Sequence, residues 1–274
     1  MRVWGIFLLL FAGMLPLEAQ FTTGLLLDDA AYESLPRQSL YGDGGKSESL
    51  ALQGISKVDL RPYCPRPRNQ GKISSCVGWS MGYAALSIQH AIRNGWKDRR
   101  DTISKYAFSA LFLYNQVKIN ECGSGSYISE ALKFLSEKGN IPSAEFDKEV
   151  NNCEVMPTAL QQERALSYRI KDYVTLFGAL AEDVIKINKV KLSLAQNKPV
   201  VIGMEIRNNF QQLGSSDTYW FPESGDVQPL GGHAMCVVGF DDGKEAFELM
   251  NSWGEYWGNQ GFIWVKYTDF AKYC

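Results

Sequence analysis

The chain has 274 residues, 45% of them hydrophobic and 12% aromatic, enough to bury a substantial core as one domain of two packed halves. With 28 basic against 30 acidic residues its net charge is -2, which gives no footprint for nucleic acid or for an anionic membrane surface. It has 2 histidines and no cysteine pair at zinc-knuckle spacing, which argues against a resident metal.

In chain order, one Arg precedes an apolar run from Val3 to Leu17, followed by Glu18-Ala19-Gln20. The run, about 15 residues, falls short of the roughly 20 that span a bilayer. Residues 1–19 therefore read as a secretory signal peptide cut after Ala19, leaving a secreted or periplasmic product with no membrane association. Residues 20–57 hold stretches such as Gly42-Asp43-Gly44-Gly45 and little periodicity, and read as a linker or short pro-segment.

From Cys76 the apolar positions Val77, Met81, Ala84, Ile88 and Ala91 step by three and four as far as Asn94, with Gly95 as a stop, which predicts an amphipathic helix with Cys76 in its first turn. Further helices are expected over Phe108 to Val117, Tyr127 to Glu137 before Gly139, and Asp183 to Ala195 before Pro199. The second half changes character. Val200 to Ile206, Ala234 to Phe240, Ala246 to Met250 and Phe262 to Tyr267 read as strands, with Asp242-Gly243 as a hairpin turn. Helices first and strands later predict an α+β fold whose halves meet at a cleft.

All 6 cysteines lie beyond the apolar run, so disulfides are available to an exported chain. If Cys76 stays free an odd number remains, and at least one further thiol is unpaired. Cys236, on a predicted strand, reads as a small core residue.

Chemistry concentrates in three places. A polar loop, Asn69-Gln70-Gly71-Lys72-Ile73-Ser74-Ser75, delivers Cys76 to a helix start, where free amides and the helix dipole favour a thiolate. Taken alone, Cys76 reads equally well as a buried structural thiol. Gly231-Gly232-His233-Ala234 opens a strand, and the paired glycines permit close approach of another chain. His90 lies several turns down the Cys76 helix and cannot reach it, so His233 is the remaining base. Asn251-Ser252-Trp253-Gly254 follows a hairpin that returns Asn251 beside His233, where a side-chain oxygen can fix the ring and Trp253 can shield the bond from water.

The order Cys, His, Asn, together with the local words around each residue, resembles the papain family of cysteine peptidases. The resemblance runs from about Val58 to about Tyr267 and rests on Asn69-Gln70-Gly71 before Cys76, Gly232-His233-Ala234, and Asn251-Ser252-Trp253-Gly254 followed by Trp257-Gly258 and Gly261-Phe262. It implies a two-lobed fold over 58–274, a helical half against an antiparallel strand-rich half, with the active site in the cleft between them. It further implies a peptidase acting on a peptide or protein substrate without a cofactor, and the N-terminal leader makes it a secreted one. Cys76 would be the nucleophile, His233 its proton partner and Asn251 the orienting residue. Gln70 would donate its side-chain amide to the oxyanion together with the Cys76 N–H. Gly125 and Ser126, in Gly123-Ser124-Gly125-Ser126, would pair with bound peptide, with Ser126 also capping the next helix. Gly232 and Trp253 would complete the substrate-binding residues.

The chain departs from the family at Ile73-Ser74-Ser75-Cys76-Val77, where relatives read Cys-Gly-Ser-Cys-Trp. One family disulfide is thereby lost and Ser74 narrows the groove. Cys122 and Cys153 match a second family disulfide, whereas Cys64 and Cys274 have no assigned partner. The segment before the peptidase domain is much shorter than the folded pro-domain of many relatives. Together with the wording Asp217-Thr218-Tyr219-Trp220, it looks more like bacterial members. Rival readings are another Cys-His acyl-transfer enzyme, transglutaminase-like or an amidase, and a catalytically silent papain-fold binding module.

Overall fold

The computed structural model describes residues 21–37, 52–225 and 227–274. The segment read as a signal peptide and the Gly42–Gly45 stretch lie outside the described residues. After a short helix α1 (Asp29–Glu33) and strand β1 (Lys57–Asp59), the first half is helical. A continuous helix α2 runs over residues 76–93 and is followed by α3 (Arg100–Lys105), α4 (Ala110–Val117), α5 (Ile128–Glu137), α6 (Ser143–Phe146) and α7 (Ala159–Ala165). Helix α8 (Asp183–Ala195) then leads to β2 (Val200–Arg207), α9 (Asn208–Gln211), β3 (Tyr219–Trp220), β4 (Pro229–Asp241), β5 (Ala246–Met250), β6 (Phe262–Lys266) and α10 (Tyr267–Tyr273).

The strands form one six-stranded sheet organised by β4. Along one edge β4 pairs first with β2, placing Met204 opposite His233, and then with β1. Its other edge pairs with β5, which places Met250 opposite Cys236 and so returns Asn251 to the neighbourhood of His233. The sheet is mostly antiparallel, with one correction to the sequence reading: β3 pairs with β6 in parallel. The Asp242-Gly243 hairpin forms, but Asp241 pairs with Ala246, so the turn takes four residues and Glu245 adopts the left-handed backbone at φ 50°.

The expected helices and strands are present with shifts at their ends. Tyr267 leaves the last strand and opens α10. The capping role read for Ser126 is not observed. Tyr127 occupies the N-cap of α5, while the buried Ser126 hydroxyl makes no hydrogen bond and the backbone of Ser126 is committed elsewhere. Cys122 and Cys153 form a disulfide, and Cys64, Cys76, Cys236 and Cys274 are free. Cys236 is fully buried in the main core, as its strand position predicts.

The largest apolar cluster fills the space between the sheet, α2 and α8, with Trp79, Phe210, Trp220, Trp253 and Trp257 among its members. A second cluster, Cys76, Val77, Met81, Leu113, Ala131 and Ala234, joins α2 to α4, α5 and β4, so the sulfur sits where the two halves meet. The N-terminus of α4 is fixed by buried Asp147, whose carboxylate accepts from the Ala110 and Leu111 amides and from the Ser109 hydroxyl. An anion at a helix N-terminus complements the dipole there. α2 is pinned by this packing from both sides.

Candidate active site

Cys76 opens α2, as the sequence predicts. Ser75 precedes it, and the Ser75 hydroxyl accepts from the Trp79 indole at 3.1 Å, which locks the entry to the helix. Over residues 79–86 the helix widens to π geometry, a local unwinding frequent at functional sites. The sulfur is fully buried and accepts from the Ala234 N–H at 3.5 Å. Backbone N–H groups of Ala234, Val77 and Cys76 favour the thiolate, but burial outweighs them and pushes the thiol up to about 12.

His233 stands on β4 immediately before Ala234, so the bond to Ala234 brings the sulfur against the strand that carries the ring. The ring is fully buried, and its Nε2 lies 2.8 Å from Asn251 Oδ1. That same oxygen accepts from the Ser252 N–H at 2.8 Å, which identifies it as the carbonyl side of the amide and makes Nε2 the protonated ring nitrogen. Nδ1 is therefore the lone-pair nitrogen of the neutral ring, and it makes no hydrogen bond among the described residues. Burial lowers the imidazole to about 4, with the Asn251 bond acting in the opposite direction. Trp253 covers the ring at a centroid distance of 4.9 Å.

Gln70 is completely buried beside these residues. Its Oε1 accepts from the Ser252 hydroxyl at 2.6 Å, while its backbone N–H donates to the Ser252 carbonyl at 2.8 Å. Both bonds hold the Gln70 loop to the Asn251 loop and turn the Nε2 amide toward the groove. Ser252 is the functional residue that sequence reasoning passes over. It stands inside the Asn251-Ser252-Trp253-Gly254 word, but nothing in that word tells which neighbour its hydroxyl meets.

The groove is filled by residues 21–26 of the same chain, here called the strap. Gln70 Nε2 donates to the Thr22 carbonyl at 3.0 Å and to its hydroxyl at 3.1 Å, and the Trp253 indole donates to the same carbonyl at 3.3 Å. Phe21 stacks flat on Trp253 with centroids 4.7 Å apart. The Gly24 and Leu25 amides donate to the Gly232 carbonyl. Leu26 N–H donates to the Ser126 carbonyl and Ser126 N–H to the Gly24 carbonyl, a parallel pairing of Leu25 with Ser126. A Cβ on Gly125 would stand 2.2 Å from the Gly24 carbonyl oxygen, and one on Gly24 would stand 2.1 Å from the Ser74 oxygen, so both positions need glycine for this approach. Gly125, Ser126, Gly232 and Trp253, the residues singled out for substrate binding, thus all contact the strap.

Catalytic and groove candidates converge on one place. The decisive likeness extends over most of the chain: the model of the papain family cysteine protease matches residues 56–274. The chain belongs to the papain family of cysteine proteases. It is 26% identical over 224 residues to an uncharacterised peptidase C1-like protein of Acanthamoeba polyphaga mimivirus, covering 79% of this chain and 69% of that one. It is 27% identical over 209 residues to a cysteine protease of Blomia tropicalis, covering 73% of this chain and 57% of the mite protein. Among solved structures, xylellain, a cysteine protease from Xylella fastidiosa, superimposes with a TM-score of 0.72 at 22% identity, over 93% of this chain and 92% of that one. The fold is papain-like, and the chain is a papain-like cysteine peptidase. The likenesses span viral, animal and bacterial proteins, and so do not single out a bacterial affiliation.

Within this papain-family chain, burial of His233 links stability to pH. The folded ring stays neutral down to about 4, whereas an unfolded imidazole takes up a proton below about 6.5. The unfolded state therefore binds more protons between those values, and stability falls as pH drops through that window. The expected slope is up to about 1.4 kcal/mol per pH unit. Urea unfolding between pH 7 and 4 should show this component in the parent chain and lose it in His233→Gln; parallel pH profiles would contradict it.

Proposed function

We propose that the protein hydrolyses peptide bonds through a thioester on Cys76. The sulfur attacks the substrate carbonyl carbon while its proton passes to His233 Nδ1, the nitrogen that the Asn251 bond leaves with a lone pair. The tetrahedral oxyanion is met by Gln70 Nε2 and the Cys76 N–H. Collapse breaks the C–N bond, the imidazolium gives its proton to the departing amine, and the thioester remains. Water then attacks the thioester, loses a proton to Nδ1 and releases the carboxylic acid, and the proton returns to sulfur. No cofactor enters these steps.

The observation that carries this reading is the peptide already lying in the groove, with Gln70 Nε2 on one of its carbonyls. Gly125, Ser126, Gly232 and Trp253 bind it mainly through backbone groups and stacking, which suits peptide or protein substrates in extended form and gives no purchase for nucleic acid. On this reading residues 20–57 are a short pro-segment. Secretion into an extracellular or periplasmic space fits the Cys122–Cys153 disulfide. A bacterial-type affiliation has the xylellain likeness on its side.

A thiol-directed epoxide should label Cys76, located by mass spectrometry, and a denatured protein should be cut by the parent chain and left intact by Cys76→Ala. Amine incorporation without cleavage would favour an acyl transferase, and absence of any labelling at Cys76 even in Gly24→Val with its groove open a silent binding module. Ser252→Ala releases Gln70 Oε1, so kcat should fall about tenfold, part of the 10²–10³ typical for losing an oxyanion donor, with little change in KM; an unchanged kcat would remove Ser252 from the machinery. Gly24→Val places a side chain against the Ser74 carbonyl and should free the groove, raising the labelling rate of Cys76 at least tenfold. Equal rates would show that the strap is no barrier.

A further inference from the structure

Beyond the groove, the same N-terminal segment is held at a second place. After Leu27 the chain turns at Asp28, whose carboxylate caps α1 by accepting from the Ala31 amide at 2.9 Å. The next residues lie along the backbone of residues 175–179. The Tyr32 hydroxyl donates to the Phe177 carbonyl at 2.7 Å, the Ala179 N–H donates to Glu33 Oε1 at 2.7 Å, and the Thr175 N–H donates to the Pro36 carbonyl at 2.8 Å. Arg37 pairs with Thr175 as a parallel bridge and forms an ion pair with Glu33. The receiving edge is firm, because Leu176 and Phe177 pack against the main core.

We propose that the backbone edge of residues 175–179 is a second peptide-docking site, with segment 28–37 as its occupant, and that this site together with the groove sets how readily the strap leaves Cys76. The inference rests on the reading of Cys76 as the reacting group and of residues 20–57 as a pro-segment. It goes beyond both by assigning a docking function to an edge outside the cleft.

The edge is suited to the task. It offers two amides and one carbonyl, of which the Thr175 amide is met by the Pro36 backbone beyond α1 and the other two groups by side chains of α1. Specificity comes from side chains: a phenol reaching one carbonyl and a carboxylate accepting one amide while paired with an arginine. The Ala179 amide and Arg37 hold the Glu33 carboxyl below its ordinary range, as expected for a carboxylate accepting at both oxygens. A chain terminus held at one point frays readily. Rebinding at the groove is intramolecular in any case, and the adjoining anchor shortens the tether, so residues 21–27 that leave Cys76 stay near it and return more readily.

The test uses the full chain carrying Tyr32→Phe with Glu33→Ala, Glu33→Ala alone, and Gly24→Val as reference. Cys76 labelling by iodoacetamide is read by mass spectrometry, and backbone hydrogen exchange is followed at Thr175, Ala179 and residues 24–26. The double variant should label at least tenfold faster than the parent, the single variant less, and exchange should quicken at Thr175 and Ala179 and also at residues 24–26. Labelling at the parental rate in both latch variants, while Gly24→Val labels faster, overturns the second site and leaves the peptidase and pro-segment readings standing. If Cys76 resists labelling even when exchange shows the groove of Gly24→Val to be open, the catalytic reading fails. Exchange then decides the docking site: coupled quickening at residues 24–26 and 175–179 in the double variant upholds it, and parental exchange overturns it.

Discussion

A single oxygen, Asn251 Oδ1, organises the site. By accepting from the Ser252 N–H as well as from His233 Nε2, it is fixed as an acceptor and decides which imidazole nitrogen carries the proton. Everything downstream follows from that tautomer. Nδ1 is left with the lone pair, Trp253 covers the bond, and the residue after Asn251 reaches on to Gln70. One short loop thus aligns the ring and the Gln70 amide together, although His233 and Gln70 come from opposite halves of the fold.

The sulfur is subject to two opposed effects. The helix start and the Ala234 amide surround it with N–H groups that favour an anion, while the apolar cluster that joins the halves favours a neutral thiol. With the strap in place the second effect wins, and the His233 ring is pushed the same way, toward its uncharged form. Leu25 belongs to that apolar cluster, so the strap contributes to the dehydration as well as to the steric block.

Much of this arrangement was legible in the sequence, because it is written in local words. Cys76 at a helix start, His233 after two glycines at a strand, and Asn251 at the end of the next strand each depend on residues within a few positions. The hairpin Asp242-Gly243 then forces β4 and β5 together. What could not be read depends on distant partners. The Ser252 hydroxyl meets Gln70 182 positions away in the chain, and Tyr32 meets Phe177 across 145. Neither contact leaves a periodic or compositional trace. Ser126 shows the opposite error: a serine before a helix fits a local capping rule, yet its backbone pairs with the strap and its hydroxyl stays unbonded.

The low periodicity of residues 20–57 reads as a linker or short pro-segment, and residues 21–26 show why periodicity says little about such a segment. A segment that docks through its backbone needs no amphipathic pattern, because the partner supplies the geometry and the side chains need only avoid collision. Gly24 is the case in point. In a linker, glycine signifies freedom; here it lies where any side chain would strike the Ser74 carbonyl, so it reports contact. The Ser74 hydroxyl is not part of that contact: it donates to the Gly123 carbonyl at 2.9 Å, and it is the backbone of residue 74 that Gly24 approaches. The glycine of the strap is therefore intelligible only beside the backbone it meets, 50 positions further along the chain.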